Sequence, residues 1–493
     1  MDKFTPQSVP SRSLARRVSL PAILFLISMG TGCARVKYQP EPLETEAVAS
    51  RVLSRNINEP GFKQFAGQYG YRITGWPPAK WDFTLLTLAA LYFNPDLRVA
   101  YAEYQLRGAE EVTAGQRQNP VLNIPFEHHS DRSGDKSPWL AGLVPDLIFE
   151  RKAKREARLN RAKALKEAAR INMETESWTL RNQMLDKYID YYSALKNRSF
   201  LRREHELLQQ SVDLLEQRYE AGQVSSFEVS LARLELQQLG LELATQSATV
   251  ADALAALVNS LGLTAQGFDS KDISFSIFDD LPGKFKLSEP DTRELALRNH
   301  LAIRQALSEY RAMEEGLKYE IEKQYPDIRL SPGLIFDQGD KIWALGSAWV
   351  LPLFHNNEGP VAEALARRKI KQAEFLSLQT NLLNDINRYR SQFLTMVRVF
   401  DDSRKLIEKL EKQNQIVVLQ YEQGHSDRLD KVRSELELTR AKQTLFNIRM
   451  KAIRAMQKLE NAVQHPVFDD LNLEGALSNL FDWRDSGLAE LPQ

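Results

Sequence analysis

The sequence predicts a mainly α-helical protein with a small β part, in which one unit of helix, β-hairpin, helix and helix (αββαα) occurs twice. Two stretches carry no proline, between Pro145 and Pro282 and between Pro360 and Pro466, and each exceeds 100 residues. Because proline is excluded from helix interiors, proline-free stretches of this length indicate long helices. Matching motifs lie about 200 residues apart, and a pair of strands with alternating apolar residues precedes each long helix.

Two constant offsets define the duplication. The motif Tyr-Glu-Ala-Gly at 219–222 returns 202 positions later as Tyr-Glu-Gln-Gly at 421–424. Arg98, Glu103 and Pro120 return 206 positions later as Arg304, Glu309 and Pro326. A period of this size lies far above the roughly 20 to 50 residues of solenoid repeats, so we interpret the chain as a duplicated half-protein. The predicted repeats are 81–266 and 291–466, joined by a linker at 267–290.

Each repeat is predicted to contain three helical segments. The glycine of Tyr-x-x-Gly supplies the left-handed conformation that closes the long middle helix. In the first repeat Leu180, Met184 and Tyr188 recur at one-turn spacing, which is typical of a packed helix seam. At 1.5 Å per residue the middle helix is about 105 Å long, nearly the combined length of the two shorter ones. The predicted ranges are 81–117, 150–220 and 226–262, then 291–323, 357–421 and 427–463.

The predicted strands alternate bulky apolar residues with small or polar ones. In the second hairpin the turn is Asp337 to Asp340, and the return strand is predicted to place Trp343, Leu345, Trp349 and Leu351 on one face. Bulky faces with aromatic ends are typical of a lipid-facing barrel wall. The predicted lipid-facing residues are Phe126, Trp139, Phe336, Trp343 and Trp349. Four strands cannot close a barrel, but three chains would supply twelve; the alternative is a hairpin packed on a soluble core.

The first residues are predicted to direct export and anchoring. Arg12, Arg16 and Arg17 precede an apolar run from Leu20 to Met29, as in a signal peptide covering 1–32. Cys33, the only cysteine in the chain, directly follows and is the predicted lipidation site; a signal residue or a buried thiol are the alternatives. The extension 33–80 is rich in proline and is predicted to be an irregular tether or strap.

Charge and composition exclude several classes of protein. The chain has 65 basic and 65 acidic residues, and the mature form from Cys33 has 61 and 64, so no nucleic-acid footprint is present. The longest uninterrupted apolar run is too short for a spanning helix, which argues against a helical transporter. No Ser, His and Asp set or phosphate-binding loop stands out, so we expect neither an enzyme nor a cofactor. The pair His128-His129 is a weak candidate for a metal site, and we expect no resident metal.

Several motifs in a fixed order resemble those of the TolC family of outer-membrane efflux proteins. They are Asn94-Pro95-Asp96-Leu97 opening a helix, Asn119-Pro120 before a strand, Tyr-x-x-Gly before each second turn, and Leu351-Pro352-Leu353-Phe354 leading to Asn356, Gly359 and Pro360. The resemblance covers about residues 81–466. It implies a homotrimer with a twelve-stranded barrel in the outer membrane and a helical tunnel in the periplasm, with the linker and the tail 467–493 forming a belt around the tunnel.

The resemblance also implies partners and site residues. The duct would be passive and would join a periplasmic adaptor protein and an inner-membrane transporter, with lipid around the barrel. The implied adaptor contacts are Gly222, Gln223, Val224 and Ser225 with Gly424, His425, Ser426 and Asp427. The implied gate residues are Tyr421, Asp430 and Arg433, of which the last two could pair at i, i+3. Ala34 after the cysteine is consistent with an outer-membrane address. A periplasmic coiled-coil scaffold lipoprotein is the alternative, and the cargo, whether drug, solvent or metal ion, is left open.

Overall fold

A computed structural model describes residues 38–69, 71, 75–130, 136–268, 272–279 and 289–468. The chain divides into two compact units, 1–51 and 52–493. The predicted signal segment, Cys33 and all but the first two residues of the tail 467–493 lie outside the described residues. The helices are α1 Thr45–Leu53, α2 Pro60–Gln68, α3 Phe83–Phe93, α4 Pro95–Gly115, α5 Lys152–Glu220, α6 Ser226–Ser260, α7 Glu289–Asn299, α8 Leu301–Glu322, α9 Glu358–Glu422 and α10 Arg428–Val463. The strands are β1 Val121–Asn123, β2 Phe126–His128, β3 Trp139–Phe149, β4 Ile328–Asp337 and β5 Asp340–Ala348.

The two long helices end where the glycine motifs predict. Helix α5 has 69 residues and α9 has 65, so each extends about 100 Å. Gly222 and Gly424 follow them with φ of +74° and +75°. This left-handed conformation closes each helix and starts the turn into α6 or α10.

The first predicted helix of each repeat is wrong in one respect, because each is broken in two. The first break is at Asn94, whose side-chain oxygen accepts a hydrogen bond from the Asp96 amide at 2.8 Å. Pro95 has no amide hydrogen to continue α3 and sits in the first turn of α4, where none is needed. The second break is at His300, 206 positions later. There the side chain of Gln464 accepts from the Leu301 amide in place of a local cap.

The prediction of an irregular tether is also wrong for the end of the extension 33–80. It contains the helix α2, whose Phe62 and Phe65 are fully buried in the main apolar core. Trp76 donates its indole hydrogen to the Asn58 carbonyl at 2.6 Å, and Phe62 lies edge-on to that ring. Proline does not indicate irregular chain at this point, because Pro60 begins a helix.

The sheet is antiparallel, in the order β1/β2, β3, β4, β5. The predicted first strand is interrupted at Pro125, which cannot donate to the ladder, although its carbonyl accepts from Gly142 at 3.0 Å. The predicted last strand is too long, because β5 ends at Ala348 and Trp349 lies beyond it. The partner strand β4 begins at Ile328, so little backbone remains for Trp349 to pair with.

The helices continue the order of the strands. Near the sheet they follow the order α4, α5, α8, α9, and near the turns the order is α6, α5, α10, α9. Helix α9 therefore forms one edge of this layer throughout, and α4 and α6 form the other. Sheet and helical layer are open at the same two edges, one belonging to each repeat.

Helix α6 has a second apolar face besides the one that packs against α5. Among the described residues it is the one helix long and apolar enough to cross a membrane, although little of its apolar window is buried. Charged and polar residues, including Glu242 and Asp252, interrupt its apolar sequence. Its apolar residues occupy two faces, and only one of these packs against α5.

A buried ion pair joins the two repeats at the main core. Arg181 of α5 donates to the Glu460 carboxylate of α10 at 2.8 Å, and both side chains are 0% exposed. The guanidinium also lies over the rings of Phe83 and Trp178. Glu460 accepts a second hydrogen bond from the Val467 amide at 2.7 Å. The long helix of one repeat is thereby fixed to the last helix of the other.

The break at His300 makes folding dependent on pH. Burial lowers the pKa of the imidazole from 6.5 to about 4, so the folded chain holds this proton more weakly than the unfolded chain. The stability contribution is therefore complete above pH 6.5 and is lost as the pH falls toward 4. We expect His300→Asn, which copies Asn94, to remove about 2 to 3 kcal/mol of acid-induced destabilisation. Unfolding of both proteins at pH 7 and pH 4.5 measures this; equal losses of stability would contradict it.

Candidate functional site

The strand register separates two chemically different faces of the sheet. Residues directly opposite one another, such as Leu143, Leu334 and Trp343, share a face. This face, called the apolar face, carries Phe126, Trp139, Leu143, Leu147, Phe149, Leu330, Leu334, Phe336, Trp343 and Leu345. Four of the five predicted lipid-facing residues lie on it, and the fifth, Trp349, follows the end of β5. Most of these side chains are exposed in the single chain.

The opposite face, called the polar face because it carries Asp146, Arg329 and Ser331, also bears aliphatic side chains. These are Leu140, Val144, Ile148, Ile335 and Ile342. Arg329 and Ser331 both contact Asp146, at 3.5 Å and 3.2 Å. Gly333 has no room for a side chain, because a Cβ there would lie 2.9 Å from Val144. The two faces therefore differ in that the aromatic residues of the strands lie on one, and the Asp146 and Arg329 pair on the other.

The two turns after α5 and α9 lie together at the end of the helical layer away from the sheet. Ser225 and Asp427 are the N-caps of α6 and α10, and their side chains accept from Glu228 and Asp430 amides. Arg218 at the end of α5 also bonds to Asp427. The structure thus brings together the eight predicted adaptor-contact residues, at 222–225 and 424–427, on two adjacent turns.

Asp427 makes the charged contact of the turn region, with Arg218. Partial burial opposes its ionisation, but hydrogen bonds from the Asp430 amide and from Arg218 outweigh burial and lower the pKa of the carboxyl. Asp427 is therefore ionised at neutral pH. It joins the second turn to the first repeat through one charged contact.

The three predicted gate residues lie close to this contact but do not act as one cluster. Lys431 lies 5.2 Å from the centroid of the Tyr421 ring. Asp430 accepts from the Ser426 hydroxyl at 3.2 Å, and the pairing of Asp430 with Arg433 is wrong. The carboxylate turns back toward Ser426 at the start of α10. In the described part of the chain Arg433 is exposed and has no carboxylate within 4.0 Å.

Within the described residues, the histidine pair at the far end of the hairpin is not part of a three-residue metal cluster. The His128 ring lies edge-on to Trp139, with centroids 4.5 Å apart. His129 Nε2 lies 3.5 Å from the Asp337 carboxylate. Across the described ranges no group of three His, Cys, Asp or Glu side chains is arranged to hold a metal ion.

Sequence reasoning missed the ion pairs between repeats. Along the contact of α5 with α10 they join Arg203 to Glu435 at 3.2 Å, and Arg454 to Asp186 at 3.2 Å and to Asp190. Arg454 and Asp186 are 268 residues apart in the chain, and both are ordinary helix-surface residues in sequence. Only knowledge of the α5–α10 contact identifies them.

The fold agrees with comparisons to known proteins. Residues 87–263 match the family model described as outer membrane efflux protein. This stretch is similar to the outer membrane efflux protein family. The resemblance predicted from the motifs is thereby confirmed for the part of the chain that carries the first helices, the first hairpin and the first glycine turn.

A curated relative and solved structures extend the comparison. The chain is 23% identical over 253 residues to the cobalt-zinc-cadmium resistance protein CzcC of Cupriavidus metallidurans, which matches 51% of this chain and 59% of the relative. The chain thus spans less than two thirds of that relative. The outer membrane protein VceC of Vibrio cholerae superposes with a TM-score of 0.62 and 20% identity, over 77% of this chain and 95% of VceC.

A second channel structure gives the same result. The outer membrane channel CmeC of Campylobacter jejuni has a TM-score of 0.62 and 16% identity, over 81% of this chain and 89% of CmeC. At these identities the superpositions establish the fold. The efflux-family relatives are named as outer-membrane proteins and channels, and none of these names is that of an enzyme.

Proposed function

We propose that this chain is the outer-membrane channel component of a tripartite efflux pump, and that three copies form a passive duct. The observation that carries the proposal is the sheet, whose exposed aromatic residues all lie on the apolar face, which suits lipid, whereas Asp146 and Arg329 lie on the other face, which suits a lumen. A scaffold lipoprotein would have no use for an exposed face of this kind. The duct would carry small molecules or metal ions from an inner-membrane transporter to the exterior.

The open edges require a closed ring of copies, and the resemblance to the TolC family implies that the ring has three. The edge strands β1/β2 and β5 carry unpaired backbone groups, which lipid does not tolerate. Edge β5 belongs to the second repeat and edge β1/β2 to the first, so copies join head to tail and close into a ring. With β1 and β2 counted as one interrupted strand, three copies give twelve strands, which enclose a channel. Helices α4, α6 and α9 meet along the same edges.

The ends of the duct have different partners in this proposal. The turns at 222–225 and 424–427 contact the periplasmic adaptor, and Tyr421, Asp430 and Arg433 line the entrance as its gate. Cys33 carries the lipid that anchors the chain at the outer membrane. The energy for export comes from the inner-membrane transporter, because a passive duct supplies none and only needs to open. The name of the curated relative, which specifies cobalt, zinc and cadmium resistance, favours metal ions as one cargo to test first.

The proposal is tested by single-channel recording in planar bilayers with the purified mature protein, with its mass determined in detergent. We expect a defined conductance from a trimer. A monomer that does not conduct would overturn the duct and favour the scaffold.

A charge placed on the apolar face should prevent insertion. Leu345 lies near the middle of β5 on the apolar face and is exposed in the single chain. We expect Leu345→Lys to cost about 2 to 4 kcal/mol per copy in the bilayer, and to reduce the membrane-inserted trimer. Ala344→Lys, one residue away on the polar face, is the matched control and should insert normally. Equal insertion of both variants, measured by trimer yield in outer-membrane fractions, would argue against a lipid-facing role.

A further inference from the structure

We propose that the contact between neighbouring copies reproduces the contact between the two repeats inside one chain, and that Asp252 of one copy pairs with Arg388 of the next. The inference rests on the proposed function, since it requires a ring of copies. The internal seam is the contact of α5 with α10. The external seam would be the contact of α9 with α6 of the next copy, because these helices correspond to α5 and α10 at the offset of 202 residues.

The apolar residues of α6 and α10 support this correspondence. Leu429 and Leu436 of α10 are only 2% and 8% exposed, and they lie in the apolar clusters where α10 meets α5. Their counterparts 202 positions earlier are Phe227 and Leu234 of α6, which are 73% and 51% exposed. The same stripe is therefore buried in one repeat and uncovered in the other. A second copy placed as the internal seam dictates would cover it.

The stripe on α6 faces away from the helix it already packs on. Phe227, Leu231 and Leu234 follow one another at intervals of four and three residues, and the same spacing leads on through Leu241 to Asp252. Val229, Leu239 and Val250 occupy the buried face. Intervals alternating between four and three form one seam on a helix, so Asp252 belongs to the exposed stripe.

The charges at the two seams are complementary with reversed sign. In the internal seam Arg454 of α10 pairs with Asp186 of α5 at 3.2 Å. The counterparts at the same offset are Asp252 on α6 and Arg388 on α9, an acid for the arginine and an arginine for the acid. The ion pair thus has the same position at both seams, but the acidic and the basic residue are exchanged between the two helices. The exchange also disfavours pairing α6 with α5 of another chain, since Asp252 would then meet Asp186.

Both members of the proposed pair are available in the single chain. Asp252 is exposed and, in the part of the chain that the structure describes, has no oppositely charged group within 4.0 Å. Arg388 is 62% exposed, and its contact with Asp385 on its own helix is at the 4.0 Å limit. Its guanidinium also lies 5.0 Å from the centroid of the Tyr389 ring. Exposed contacts of these kinds contribute little, so an acid on a neighbouring copy can compete for Arg388.

Cross-linking in the assembled protein tests the register. We expect Asp252→Cys combined with Arg388→Cys to be joined between copies by a short bifunctional thiol reagent, giving dimers and trimers in denaturing gels. The matched control combines Asp252→Cys with Arg398→Cys, which lies ten residues or about 15 Å further along α9 and should not cross-link. Variants with one added cysteine account for the native Cys33.

Charge exchange provides a second measurement. Asp252→Arg should lower the trimer population at limiting concentration by about tenfold through repulsion from Arg388. Asp252→Arg with Arg388→Asp should restore it. If a trimer forms but cross-links through Arg398→Cys, or through neither pair, the register is overturned and the duct stands. If no trimer forms from the native sequence, the proposed function fails first.

Discussion

Replacing Glu460 with alanine should lower the free energy of unfolding by about 3 to 5 kcal/mol, because it removes the buried carboxylate that pairs with the fully buried Arg181 guanidinium. The loss should appear as a lower unfolding midpoint in denaturant at unchanged pH. Removing both charges together, in Arg181→Met with Glu460→Leu, should recover most of the stability, since burial of an isolated charge is the dominant cost.

The exposed pair Arg203–Glu435 is the control for that experiment, because it joins the same two helices. Arg203 is half exposed, and we expect Arg203→Ala to cost less than about 1 kcal/mol. Similar losses for Arg203→Ala and Glu460→Ala would show that burial of the ion pair does not determine its importance.

Replacing Gly262 with alanine should lower the free energy of unfolding through two separate effects, an unfavourable backbone conformation and a steric clash. Gly262 follows α6 with φ of +76°, and a Cβ there would lie 2.9 Å from backbone atoms of Phe93 and Asn94. The left-handed conformation costs about 1 to 2 kcal/mol for alanine, and the clash adds about 1 to 3 kcal/mol. We expect a total of about 2 to 5 kcal/mol, measured by denaturant unfolding.

Gly222→Ala separates the two contributions. Gly222 has almost the same φ, +74°, but a Cβ there meets no atom within 4 Å. It should therefore cost only the conformational term. If Gly262→Ala lowered the free energy of unfolding no more than Gly222→Ala, the close approach of α6 to the α3–α4 break would not affect stability.

The elements that were predictable from sequence are those set by local chemistry. Glycine at 222 and 424 requires a left-handed residue, and proline-free stretches permit long helices, so the ends of α5 and α9 were placed within about two residues. The Asp337 to Asp340 turn was predictable for the same reason, since Gln338 and Gly339 both have positive φ. Alternation placed four of the five aromatic residues on one face.

What failed depends on contacts distant in the chain. The break at His300 is capped by Gln464, 163 residues away. Burial of Phe62 and Phe65 depends on α3 and on Trp76 and Trp81, and no local signal separates this from an ordinary proline-rich tether. Asp430 prefers the Ser426 hydroxyl over Arg433 because of the shape of the turn. The turn and gate residues themselves keep the status of predictions, because no partner is present to test them.

The seam between the repeats also constrains how the chain acquires its structure. Arg181 and Trp178 find their partners Glu460 and Asn461 about 280 residues later, at the very end of α10. Contacts this distant in sequence form slowly, because a long loop must close before they contribute. An exported chain would emerge with α5 complete and the part of α5 that packs on α10 still uncovered until the last helix arrives. Protection of that surface during transit, by a chaperone or by rapid completion of export, is therefore a requirement that the architecture itself imposes on the cell.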